Sequence, residues 1–441
     1  MGNKVVNKRD SGEIFIMTIS SQLSRFIDEI KQLDIVQFIG VLFIMYSFNS
    51  YFGLSRFDSQ PFPFLLAIVF LMFRTFITKG NLKSPVLFLL IGILSFVGVF
   101  IGTFVEFRVN MLFIRGVINY ASIFILMMAF YEYIKAYGFP LKILVFMNIL
   151  WLLVGVLQLA VPDIVNAFVQ NRTSIGRGVT SLSPEPSSFG MHLFFMSWMY
   201  LLVTDYKPPR WLLFLVVINV ISIFFLAISA ITIVFLMVTV LFYLAFNFRS
   251  LFTFKRLLLV IAGFIIFIFV IFTVLKGSRM EQLFYALLNA DIDIVLESDR
   301  SVNSRLAHQV LPVYLFFSNL GFPMGLQTFV SSVAELDVSI REALWGNITN
   351  DKIMSWNATL IYELGVFSIL IWVFLYTFLM DGTINRFGEL SLLFVLLFSS
   401  IPQSYPLIPM IFVIMYMTNK HHNSLKSKLK KQQNYLKTHY S

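Results

Sequence analysis

One apolar run follows another along this 441-residue chain, most of them long enough to cross a lipid bilayer, and only two sizeable polar stretches interrupt the series, residues 163–187 and 276–355. A bilayer core of about 30 Å is crossed by roughly 20 helical residues, and only helices or closed barrels satisfy their backbone polar groups inside it. The chain is therefore expected to be an all-α polytopic membrane protein. Hydrophobic residues make up 58% of it and charged residues 13%, against roughly 45–50% and about 25% in soluble domains. That composition excludes a soluble enzyme. The chemistry should sit where the polar residues gather.

Candidate spans read as 35–53, 62–78, 85–105, 110–131, 141–161, 188–204, 211–227, 231–247, 257–275, 357–380, 387–401 and 406–418. The run 211–247 is too long for one helix and is divided at Ser229. The run 387–418 is divided by Pro402 and Pro406, and its last piece is short for a crossing. The count is about 12, or 11 with that piece discounted. Lys and Arg prefer cytoplasmic loops. With the N-terminus inside, the inner loops and termini hold 21 Lys and Arg, whereas the short outer loops hold only Arg56, Arg108, Arg172 and Arg177. The expected layout is a cytoplasmic segment 1–34, helices 1–9 over 35–275 with an outer loop at 163–187, a large late extracytoplasmic loop at 276–355, helices 10–12 over 356–418, and a basic cytoplasmic tail 419–441. Both termini lie inside. No h-region leads to a cleavage site near the N-terminus, so a cleaved signal peptide is not expected.

The net charge of +10 sits largely in the ends and short loops, which is the pattern of membrane orientation and not of nucleic-acid binding. No Cys is present, so disulfides, thiolate metal sites and a cysteine nucleophile are excluded. No GxGxxG, Walker A or HExxH pattern occurs, and nucleotide or zinc-protease chemistry has no support. No metal site and no cofactor are expected.

Ionisable residues within spans are costly and mark function by default. Arg74 near the inner end of the second span can snorkel to the cytoplasm. Arg115 lies about 8 Å inside the outer end of the fourth span at 1.5 Å per residue, and Glu363 lies at similar depth in the tenth. They form either a structural pair or, through Arg115, a cation for a lipid diphosphate. In the outer stretches, Arg172 and Arg177 precede Ser183-Pro184-Glu185-Pro186-Ser187, where flanking prolines stiffen the approach of Glu185 to the membrane. A carboxylate so held suits a base or an orienting group, or is an ordinary loop acid. Arg300, Arg305 and His308 cluster in the late loop; Arg305 and His308, three apart, share one face of a helix. His308 reads equally as a surface histidine. Residues 309–329, apolar but interrupted by Gly321, Pro323 and Gly325, are too broken to span and are expected to pack on the membrane surface against the outer ends of the spans.

The run Arg177-Gly178 … Ser183-Pro184-Glu185-Pro186-Ser187-Ser188-Phe189-Gly190 resembles a segment of Wzy-type polysaccharide polymerases. Ser304-Arg305 … Gly321-Phe322-Pro323-Met324-Gly325 is similar to the large loop of the O-antigen polymerase and ligase superfamily, and Trp356-Asn357-Ala358-Thr359-Leu360-Ile361-Tyr362-Glu363-Leu364-Gly365 to the start of one of its late spans. The resemblance implies a GT-C-like membrane glycosyltransferase. It would join undecaprenyl-diphosphate-linked oligosaccharide donor and acceptor units, without metal, at the outer face of a bacterial cytoplasmic (inner) membrane, in lipopolysaccharide or other surface polysaccharide biosynthesis. A chain-length regulator and a flippase are the implied protein partners. The ligases carry an active-site His where this chain has Trp356-Asn357, which favours a polymerase over an O-antigen ligase. Candidate catalytic residues are then Glu185, His308 and Arg305; candidate diphosphate or substrate ligands are Arg115, Arg172, Arg177 and Arg300. A lipid-linked oligosaccharide flippase is the rival from another class, and would place polar residues deep along a central path.

Overall fold

The structure, a computed structural model, describes residues 62–77, 85–104, 111–168, 178–246, 300–326, 328–337, 353–380 and 383–419, with positions 82 and 285. The expected spans 35–53 and 257–275, and both terminal segments, lie outside these residues. All regular structure among the described residues is helical. In chain order the helices are α1 (Phe62–Ile77), α2 (Val86–Thr103), α3 (Met111–Tyr137), α4 (Leu141–Ala160), α5 (Pro162–Phe168), α6 (Pro186–Val203), α7 (Arg210–Ser222), α8 (Ala230–Phe246), α9 (Arg300–Ser318), α10 (Phe329–Ala334), α11 (Trp356–Leu364), α12 (Val366–Leu379), α13 (Ile384–Leu396) and α14 (Leu407–Thr418). Four helical stretches are long and apolar enough to cross a membrane: Val86–Thr103, Phe113–Tyr137, Leu141–Ala160 and Arg210–Ala227. Four shorter helices are similarly apolar. Exposed side chains such as Met72, Phe76, Val86, Phe100 and Leu241 present the apolar exterior that a lipid environment solvates.

Two helices are apolar all round, which is the signature of a helix enclosed by others. Every residue of α14 from Leu407 to Met417 is buried, and α6 is buried along nearly its whole length. The enclosed position of α14, packed on α3 and α6, accounts for its shortness. Polar side chains join the helices at depth: the paired amides of Asn148 (α4) and Asn219 (α7) exchange hydrogen bonds of 2.8 Å, and Asn219 donates to Ser197 of α6 at 2.9 Å.

The punctuation at Ser229 and at Pro402–Pro406 coincides with real breaks. The end of α7 widens into a π turn over Ile223–Ala227, followed by Ile228 in the left-handed region at φ 41°. The widened turn frees a carbonyl, and Val179 N–H donates to Leu226 O at 2.8 Å. The stretch 397–406 likewise ends α13 before α14 begins, and Asn357 fastens α11 to it. Asn357 N–H donates to Leu397 O at 2.9 Å, and its side-chain amide donates to Phe394 O at 2.6 Å.

Two expectations need correction. Residues 357–380 are not one helix: the chain breaks at Gly365 (φ 55°) into α11 and α12. The break leaves helical carbonyls and an amide to be satisfied, and residues 319–326 supply the partners. Met324 and Gly325 N–H donate to Tyr362 and Glu363 carbonyls at 3.1 and 3.2 Å, and Val366 N–H donates to Gly321 O at 2.9 Å. Nor is 309–329 broken throughout. Its first ten residues continue α9 despite Pro312, and the strap 319–326 that follows is irregular. The strap packs on α2 and α3: Leu326 N–H donates to Thr103 Oγ1 at 3.3 Å, and any Cβ on Gly102 would meet Gly325 backbone.

Candidate functional site

The chain between Gly178 and Glu185 is fixed before it reaches α6. A Cβ on Gly178 would collide with the carbonyls of Leu226 and Ala227, so only glycine allows this approach to the π turn. Gln158, an amide near the end of the apolar α4, organises the next residues: its Oε1 accepts from Thr180 N–H at 3.0 Å and Ser181 N–H at 2.8 Å. Ser181, held in the left-handed region at φ 51°, donates its hydroxyl to Trp151 O at 2.6 Å. Ser183 Oγ donates to Thr180 O at 2.7 Å. All four residues Val179–Ser181 and Ser183 are buried.

Pro186 occupies the first helical position of α6, where its missing N–H costs nothing, and Glu185 stands at the N-cap in an extended conformation. Its side chain makes no capping hydrogen bond. The carboxylate is directed elsewhere: Oε2 accepts from Ser187 Oγ at 3.1 Å and faces Arg305 Nη2 at 3.7 Å. The positive end of the α6 dipole favours an anion here. Both partners keep some exposure, 23% for the Arg305 side chain and 36% for Glu185. The two polar stretches of the sequence thus meet, one arriving from the start of α6 and the other from the second turn of α9.

One turn beyond Arg305, His308 behaves differently. It has no exposed surface and neither ring nitrogen has a hydrogen-bond partner. Its ring lies 5.4 Å from Phe329 of α10, which in turn lies 5.5 Å from Tyr362 of α11. Burial lowers its pKa from the ordinary histidine value to about 4. The reading of His308 as a surface histidine is therefore overturned: the two residues share the α9 surface, but α10 covers only the second. Tyr362 anchors α10 by donating to Ser332 Oγ at 2.9 Å, with Thr328 Oγ1 at the same distance.

A second polar cluster follows directly along α11. Tyr120 Oη of α3 donates to Glu363 Oε2 at 2.6 Å, and Arg115, also on α3, interacts electrostatically with the same carboxylate. Arg115 and Glu363 are each partly buried, whereas Tyr120 is fully so. His308, Phe329 and Tyr362 pack ring against ring and lead along α11 to the second cluster.

Arg172 and Arg177 lie outside the described residues, although Gly178, the next residue after Arg177, is pinned against the π turn. Arg300 begins α9, and its side chain lies outside the described set. Sequence reading paired Arg115 with Glu363 on depth alone and missed Tyr120, Gln158 and the π turn; a glutamine inside an apolar run was the available signal for the second of these. Asn357 accepts from Trp372 Nε1 at 3.0 Å as well as bonding α13. Among the described residues no three His, Asp or Glu side chains gather closely enough to hold a metal ion. Comparison with protein-family models, with curated proteins and with solved structures finds no match.

Proposed function

We propose that this protein is a polysaccharide polymerase of about 12 spans that joins undecaprenyl-diphosphate-linked repeat units at the outer face of a bacterial cytoplasmic membrane, by glycosyl transfer without a metal. The observation that carries the reading is the meeting of Glu185 and Arg305 from two distant polar segments. A carboxylate and a guanidinium side by side, both partly exposed at the end of an enclosed apolar helix, are the groups this transfer needs.

The acceptor hydroxyl oxygen forms a bond to the anomeric carbon of the donor sugar. The bond from that carbon to the diphosphate oxygen breaks, and the lipid diphosphate departs with the electron pair. Glu185 takes the hydroxyl proton. Arg305, with Arg115 and the arginines at 172, 177 and 300, holds the diphosphate, for which the planar guanidinium offers paired donors. Countering charge as it develops on the leaving group is often the largest catalytic contribution. Arriving diphosphate competes with Glu185 for Arg305, so donor binding releases the base. His308, enclosed beneath α10, has no surface from which to accept that proton, and Glu185 takes the role.

Asn148, Asn219 and Ser197, buried where α4, α6 and α7 meet, bond one another, which ties helices together and offers no support for a transporter. Deleting the gene and sizing the surface polysaccharide tests the reading. Long chains should vanish while single repeat units persist. Loss of all surface repeat units, with lipid-linked units accumulating at the inner face, would identify a flippase instead.

A further inference from the structure

We propose that Glu363 is a positioning residue for the diphosphate: held by Tyr120, it fixes the Arg115 guanidinium at the level where the lipid-borne anion lies. The inference rests on the polymerase reading and adds to it a residue that reading does not use. An arginine on a long flexible stem inside an apolar bundle can rise toward the interface, and a cation that wanders along the membrane normal holds no anion at a defined depth. Three observations bear on what prevents this. Glu363 sits in the last turn of α11, and its own backbone carbonyl is clasped by Gly325 N–H at 3.2 Å. Tyr120 fixes one carboxylate oxygen, Oε2, with a hydrogen bond of 2.6 Å. Gln403, buried in the turn before α14, approaches the same tyrosine hydroxyl. One oxygen of the carboxylate is thereby committed to Tyr120, and Arg115 interacts electrostatically with Glu363. Tyr362 and Glu335 are the other titratable groups near this end of α11.

The test is a double-mutant cycle on the full chain in lipid nanodiscs, titrated with a polyprenyl-diphosphate-linked saccharide. The variants are Arg115→Ala, Glu363→Gln and the two combined. Glu363→Gln keeps the shape and the bond from Tyr120 but removes the charge that orients Arg115. It should weaken binding about tenfold, the scale of one hydrogen bond to a charged group. In the Arg115→Ala background the same change should cost nothing more, because its effect runs through the arginine. Tyr120→Phe, which removes only the hydroxyl, should show the same dependence on Arg115 and serves if Glu363→Gln fails to insert. An equal loss in both backgrounds would make Glu363 a packing residue and overturn the proposal. No loss in either would do so too. If the unaltered protein does not bind the probe, the polymerase reading itself falls.

Discussion

Arg305→Ala separates a functional ion pair from a structural one. The guanidinium faces Glu185 at 3.7 Å, beyond good hydrogen-bond length, with both side chains partly exposed. A pair of that kind contributes about 0–1 kcal/mol to stability, so the melting temperature in detergent should shift by no more than a few degrees. A guanidinium that meets a diphosphate during the reaction is worth more, roughly 1.5–3 kcal/mol, or about ten- to a hundredfold in rate. The polysaccharide ladder in a deletion strain carrying the variant should therefore collapse to short chains while the amount of inserted protein stays normal. Arg305→Lys should recover only part of the ladder, because an ammonium lacks the planar fork. Full-length chains from Arg305→Ala would refute the site. So would a loss of chains matched by a comparable loss of folded protein.

Further outcomes follow from other parts of the structure. His308 titrates near 6.5 in an unfolded chain and at about 4 in the fold; between those values the unfolded state binds more protons, so stability present above pH 6.5 is lost as the pH falls. Its share by pH 5 is about 2 kcal/mol, and thermal melts at pH 5 and 7 should converge in His308→Leu relative to the unaltered chain. Gly325→Ala should destabilise more than Gly321→Ala: both have positive φ, but a Cβ at 325 runs into Gly102 backbone whereas one at 321 only touches Phe316 at 3.4 Å. Equal melting temperatures for those two variants would contradict the strap packing. Gly178→Ala should push residues 178–185 off the π turn at a cost of about 1–3 kcal/mol, with polymer length falling alongside. Reporter fusions at Gly138 and Asp299 should report inside and outside; the same side for both would sink the orientation.

Helix positions were legible where apolar length and punctuation agree. Ser229 and the prolines at 402 and 406 mark breaks because a polar residue or a missing N–H interrupts the local pattern. Gly365 was not legible as a break, since an isolated glycine is tolerated in helices and its effect here depends on amides delivered by residues 324–325. The i, i+3 spacing placed Arg305 and His308 on one face correctly, yet it could not say that α10 would cover only the second. That Arg115 and Glu363 would come together was readable from the sequence. Their third partner was not, because Tyr120 looks like any aromatic in an apolar helix until α3 and α11 are packed. Gln158 carried a signal that charge-based reading passes over: an amide in hydrocarbon must find partners, and it found the backbone that leads to Glu185.

The central claim is most directly tested with purified protein in liposomes supplied with one lipid-linked repeat unit and no other protein. The account predicts a ladder of products growing by single repeats, with one lipid diphosphate released per bond formed, and its loss on Glu185→Gln. Repeat units that remain single, whether they stay in place or cross the bilayer, would contradict it.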